Sequence, residues 1–235
     1  MRGKREQIPG RRMARAFFED APERVAPRLL GKLLVHRTRG GALAGRIVEV
    51  EAYLGPHHEV ADPAAHSHRG PTPRNQVLFG PAGHAYVYSI YGQYFCMNVS
   101  CERDGRAGCV LLRALEPVAG LEEMARNRDL PPISQRARNG WGTARRALTS
   151  GPGRLCQALG IERKTHNGLD LVDEDSVLQV RDDGMYVARV LVTRRIGIRQ
   201  AVELPLRFSI PGNDCVSGPK SAGGRIIVPR RGDRK

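Results

Sequence analysis

Two glutamates, Glu49 and Glu51, lie two residues apart in the run Arg46-Ile-Val-Glu-Val-Glu-Ala-Tyr-Leu-Gly55. On a strand, residues i and i+2 share a face, which puts such carboxylates roughly 7 Å apart. A pair at that spacing suits the acid and base of an inverting glycosidase. A single carboxylate suits the activation of water against a sugar C1′, where its charge also stabilises an oxocarbenium-like transition state. The more common meaning of this spacing is a solvated strand face, with Val48 and Val50 turned to the core.

Aromatic and imidazole groups gather just downstream. Tyr53, Tyr86, Tyr88, Tyr91 and Tyr94 fall close together, and so do His57, His58, His66, His68 and His84. Tyr86, Tyr88 and Ile90 alternate on one strand face, and Tyr91 sits at a turn before Gly92. An aromatic ring at a turn suits a wedge into a base stack. Tyr53 and Tyr88 suit the walls of a pocket for an extruded base. Tyr86 and Tyr94 read as ordinary core packing. His57, His58, His66 and His68, with Glu59 and Asp62, have the residue types of a metal site. There is no His-Glu-x-x-His helix, however, and Pro63 interrupts the stretch. An imidazole that stacks on or hydrogen-bonds a substrate is the other reading.

The chain has 235 residues, 38 Lys and Arg against 24 Asp and Glu, and a formal net charge of +14. Lys occurs only at 4, 32, 164, 220 and 235, so the charge is mostly arginine. Guanidinium forks fit phosphates and stack on bases, and such an excess is the footprint of a nucleic-acid binder. The five cysteines are odd in number and form no Cys-x-x-Cys pair. With no signal peptide and no apolar run of membrane length, the expectation is a reduced, cytoplasmic protein that is not secreted and engages no membrane. In a bacterium it would be associated with the nucleoid.

The elements that must position these groups can be sketched from turn residues and periodicity. A helix is expected over 23–30, ending at Gly31, and strands over 32–37 and 44–51. A long Gly-, Pro-, His- and Arg-rich loop follows over 55–83; loops of that length are usually functional. A hairpin turns at Tyr91-Gly92-Gln93, followed by a strand over 109–115 and a helix near 121–128. Residues 129–149, with Arg136, Arg138, Arg145 and Arg146, read as an exposed basic loop. Ser150-Gly-Pro-Gly opens a helix that closes at Gly160. Later strands are expected over 177–181, 187–193 and 206–210. The expectation is a single compact α+β domain over 16–217 with mostly antiparallel strands, between basic tails over 1–15 and 218–235.

Many of these segments closely resemble one family. They include Arg46 to Pro56, Ala65-His-Ser67, Thr72-Pro-Arg-Asn75, Tyr86-Val-Tyr88, Tyr91-Gly92, Cys96-Met-Asn-Val-Ser100, Val110 to Pro117 and Ser150 to Leu159. In order and spacing they resemble the alkyladenine (3-methyladenine or methylpurine) DNA glycosylases, from about Phe17 to Ser217. The resemblance implies a compact mixed α/β fold with a protruding β-hairpin. It implies that Glu51 is the general base, that Tyr53, His66 and Tyr88 sandwich a flipped base, and that Tyr91 enters the minor groove in its place. By the same resemblance Asn98 reads the purine edge, and Arg113 stands near the water and the flipped nucleotide's phosphate. The family uses no cofactor, no metal and no catalytic lysine. The lysine positions agree with that last point, since none lies in the Glu/Tyr/His region and lyase-type glycosylases need an amine nucleophile.

The expected function is removal of alkylated or deaminated purines from damaged double-stranded DNA by water, leaving an abasic site without a lyase step. The expected acting form is a monomer. The chain departs from the family at Leu78 and Gln93, where Met is expected. It also departs at Asp214-Cys215, where Pro and an aromatic are expected, which predicts a wider side of the base pocket.

Overall fold

The computed structural model describes residues 10–136, 140–218 and 223–229. Strands β1 (Arg11–Arg12), β2 (Leu33–Thr38), β3 (Gly41–Tyr53), β4 (Ala85–Ile90), β5 (Tyr94–Ser100) and β6 (Cys109–Ala119) precede β7 (Leu178–Asp182), β8 (Val190–Thr193), β9 (Arg207–Ser209) and β10 (Arg225–Ile227). The helices are α1 (Pro22–Leu29), α2 (Leu121–Asn127), α3 (Ile133–Arg136), α4 (Trp141–Thr149), α5 (Pro152–Leu159) and α6 (Arg163–His166). Every strand pairing in the sheet is antiparallel. The order is β1-β7-β2-β3-β6-β5-β4, with a branch from β3 through β9 and β8 to β10. The α+β class expected from the sequence holds.

The thirteen-residue β3 is the trunk. One edge pairs with β2 over its first half and with β9 over Glu49–Glu51, while the other edge follows β6. The β3–β6 register shifts at three places, one between Ala44 and Gly45 and two beside the glutamates, where Ile47 faces Leu115, Glu49 faces Ala114, and Val50 faces Leu112. Val48 is therefore the extra residue on β3, and Arg113 the extra residue on β6. A bulge reverses the alternation of side chains beyond it. Leu43 and Ile47 face the main core on one side of the bulge, and Val50, Ala52 and Leu54 on the other. Glu49, Glu51 and Tyr53 are thereby turned to the opposite face. Val48 is corrected by this: it packs beside Cys215 and Ala114 on the glutamate side, away from the main core.

The helices cover the core face. Pro22 starts α1, where a missing N–H costs nothing, and Val25, Ala26 and Leu29 are buried under it. Helix α5 presents Leu155, Cys156, Ala158 and Leu159 inward and ends at Gly160, whose φ of 65° is the left-handed C-terminal cap. Its start is shifted from the expected one. Gly151 holds the N-cap position with no side-chain cap, while Ser150 forms a backbone bridge to Ala114.

Residues 129–149 depart most from expectation. Much of that stretch is helical, in α3 and α4, with Ala144 and Leu148 buried one turn apart. The arginines between them hide a short amphipathic pattern. Arg138 lies outside the described residues. So do residues 1–9 and 230–235 of the expected tails. Arg11–Arg12 and Arg225–Ile227 extend the sheet as β1 and β10.

Candidate active site

Glu51 is fully buried and accepts three hydrogen bonds. The Tyr53 hydroxyl donates to Oε2 at 3.0 Å, Arg113 Nη1 donates to Oε2 at 3.2 Å, and the Ile196 backbone N–H donates to Oε1 at 2.9 Å. A carboxylate offers about four lone-pair sites, so one is left for a further donor. Burial and the Glu51 charge push the Tyr53 hydroxyl well above the usual phenol range, so it stays a donor. Burial opposes the charge on Arg113. Glu51 and Glu49 outweigh that effect and raise its pKa further, so it remains cationic.

Glu49 shares the face and the burial of Glu51 but not its surroundings. Oε1 accepts from Arg207 Nε at 2.7 Å and Arg113 Nε at 3.0 Å, and Oε2 accepts from the Ser217 N–H at 2.6 Å. The two carboxylates and two guanidiniums balance in charge. Such a set is tolerated in a core only because each member is paired and hydrogen-bonded. The solvated strand face is overturned: both glutamates are 0% exposed. The bulge at Arg113 is what lets one guanidinium bridge them.

Above this floor opens a cavity of about 460 Å³ lined by Tyr53, His66, Tyr88, Tyr91, Asn98 and Arg113, among others. Its size is in the range of small-molecule sites. The His66 and Tyr88 rings lie 4.5 Å apart at 68°, and Arg195 stands 4.6 Å over the Tyr53 ring. His66 Nδ1 and the Tyr86 hydroxyl share a 3.0 Å hydrogen bond. Burial and the nearby Arg74 charge hold the His66 pKa below its ordinary value. The Asn98 amide oxygen accepts from the Cys109 thiol at 3.6 Å. The structure thus brings together at one opening every cavity residue expected from the sequence, with Glu51 directly beneath.

The other tyrosines divide differently from expectation. Tyr91 is 93% exposed at the hairpin tip, with a φ of 51°, a left-handed conformation rare for a bulky residue. Tyr86 is buried as expected, but it also lines the cavity and orients His66. Tyr94 is corrected: it is 44% exposed at the start of β5, where its ring passes over Gly153. Its place beside the turn leaves one side of the ring uncovered.

Sequence reasoning missed a second buried ion pair. Arg195 and Asp62, both with fully buried side chains, meet through two 2.7 Å hydrogen bonds. Asp62 also accepts from the Leu54 and Ala64 N–H groups, and Arg195 donates to the Ala52 carbonyl. The pair ties the loop that carries His66 to the end of β3. Arg195 stands directly before Ile196, whose N–H holds Glu51. Only tertiary structure joins residues so far apart, and no local motif marks them. Among the family departures, Leu78 is buried behind Tyr86 and Cys109. Cys215 packs against Val48 and Ala114. Neither Asp214 nor Cys215 is among the described residues lining the cavity, so the expected wider wall at that point is not where this segment lies.

Comparison with known proteins gives the family. The methylpurine-DNA glycosylase (MPG) family profile matches residues 16–214. A protein of Koribacter versatilis named "Putative 3-methyladenine DNA glycosylase" is 50% identical over 208 residues, covering 88% of this chain and 94% of that one. Proteins of the same name from Methanoculleus marisnigri and Alkaliphilus oremlandii are 48% and 43% identical, covering 86% and 88% of this chain and 96% and 98% of theirs. The matched span contains β3, the bulged β6, the hairpin and the loop that bears His66. With that span and these identities, the chain belongs to the methylpurine-DNA glycosylase family.

Proposed function

We propose that this chain, by its family a DNA glycosylase for alkylated bases, turns a damaged purine out of duplex DNA into the cavity and hydrolyses its N-glycosidic bond with water. The observation that carries the reading is the buried Glu51 carboxylate, held by three donors with one lone-pair site unused, beneath a slot of aromatic rings. Tyr53, Tyr88 and His66 stack on the extruded base, and such stacking is worth about 1–3 kcal/mol per base. Asn98 reads the purine edge. Tyr91, at the exposed hairpin tip, fills the gap in the duplex.

In the chemical step a water on the free Glu51 site gives a proton to the carboxylate as its oxygen bonds to C1′. The C1′–N bond breaks and its electron pair leaves with the base. An alkylated, cationic purine departs neutral, so modest catalysis suffices. A deaminated purine such as hypoxanthine is neutral and needs protonation at a ring nitrogen. Arg113 holds the Glu51 carboxylate in place through its Nη1 hydrogen bond and stands close to the flipped nucleotide's phosphate. No lysine is among the described residues lining the cavity, which supports a water-using, monofunctional enzyme; its acting form on damaged double strands is proposed to be the monomer.

The test compares duplexes carrying 3-methyladenine, ethenoadenine or hypoxanthine. Release of free base should leave an intact strand that breaks only on alkaline treatment, and borohydride should trap no enzyme–DNA adduct. A trapped adduct, or strand cleavage without alkali, overturns the monofunctional assignment. Binding without any base release overturns the enzymatic reading.

A further inference from the structure

Outside the cavity, His57, His58 and Glu102 converge, with one ligand atom from each lying within 4.8 Å of the others. Glu102 Oε1 is the common vertex, 2.8 Å from His58 Nε2 and 3.5 Å from His57 Nε2. The two imidazole centroids are 4.8 Å apart. His57 Nε2 is buried and has no hydrogen-bond partner, an expensive state for a ring nitrogen. The other Glu102 oxygen turns to Arg106, at 3.6 Å from its Nε, which leaves Oε1 to the two rings.

The backbone sets this convergence from both sides. A turn closed by the His58 N–H on the Gly55 carbonyl presents two adjacent histidines in one direction. Gly55 is required there, because a Cβ would lie 1.6 Å from the Ala107 carbonyl oxygen and 2.6 Å from His57 Cε1. Glu102 has a φ of 73°, rare outside glycine, and its N–H is held by the Phe18 and Asp20 carbonyls.

We propose that His57, His58 and Glu102 form a binding site for a zinc-class divalent transition metal, which staples the loop after β3 to the β5–β6 connection. Two imidazoles and one carboxylate make a borderline donor set with three protein ligands and one open position. Bond lengths of about 2.0–2.2 Å place tetrahedral donors about 3.4 Å apart. The 3.5 Å pair already meets that spacing, and the other two need side-chain movements on the order of 1 Å. None of the three residues is among those lining the cavity, so the ion would act on structure and take no part in the hydrolysis. The loop it fastens carries Asp62 and His66. The proposal does not depend on the mechanism given above.

The test uses the full chain, stripped with a chelator and titrated with Zn²⁺ by calorimetry. One equivalent should bind, and the variants His58→Asn and Glu102→Gln should each weaken binding by more than ~10-fold, at least the loss seen when a residue that only supports a ligand is changed. Co²⁺ should give ligand-field absorption in the parent protein that both variants lose. The thermal midpoint of the parent alone should rise with Zn²⁺. Unchanged affinity and stoichiometry in either folded variant, or no binding by the parent below millimolar Zn²⁺, overturns the proposal.

Discussion

Replacing Tyr91 by glycine should separate stability from function. The side chain is 93% exposed, so its loss removes almost no buried surface. Its φ of 51° costs a side chain bearing a Cβ about 1 kcal/mol, which glycine does not incur. The Tyr91→Gly protein should therefore be between unchanged and ~1 kcal/mol more stable, a rise of up to ~4 °C in midpoint for a domain of this size. On lesion-bearing duplex the same change removes an aromatic contact worth about 1–3 kcal/mol. That is roughly a 5- to 150-fold loss in affinity at 25 °C, with single-turnover base release falling alongside it at subsaturating enzyme. Thermal unfolding and fluorescence anisotropy on one preparation decide the matter. A variant that is destabilised, yet binds and excises as the parent does, would refute the assignment of Tyr91 to DNA and make it part of the scaffold.

Glu49→Gln should cost about 3–5 kcal/mol in denaturant unfolding, since it leaves the buried Arg207 and Arg113 short of a counter-charge. Asp62→Asn should cost a similar amount by stranding Arg195, and should speed proteolysis of the loop over residues 55–83 as its anchor is lost. The buried pair His36 and His166 gives a pH dependence. Burial holds both pKa values below normal, and His36 Nδ1 donates to the Leu159 carbonyl while Nε2 meets His166 Nε2 at 3.1 Å. The folded state binds fewer protons than the unfolded one below pH ~6.5, so this contribution is full above that pH and lost as the pH falls. Unfolding curves from pH 8 to 5 should show a decline that His36→Gln lessens.

The main strands, the hairpin, and the cavity-lining set of Tyr53, His66, Tyr88 and Asn98 were legible because each rests on a local signal. These signals are alternation, a glycine turn, or a motif in a fixed order. Glu49 and Glu51 were legible as a pair but not as unequal partners. Their difference comes from the bulges at Val48 and Arg113, which only the pairing of β3 with β6 reveals. Spacing on an ideal strand would put Val48 and Val50 on one face, and the bulge separates them. Arg195 and Asp62 escaped notice because their partnership spans more than half the chain. Glu102 did so because its histidine partners come from another segment. The helical character of α4 was masked by arginines on its outer face, where composition resembles a loop.

The central claim is that Glu51, and not its buried neighbour, activates the water. It is tested most directly by single-turnover release of hypoxanthine from duplex DNA by Glu51→Gln, with binding to the same duplex measured in parallel. The account predicts a fall in base release of about 10²- to 10⁴-fold, with lesion-duplex affinity kept within severalfold. Release near the parent rate by a Glu51→Gln protein that binds the duplex normally would contradict it.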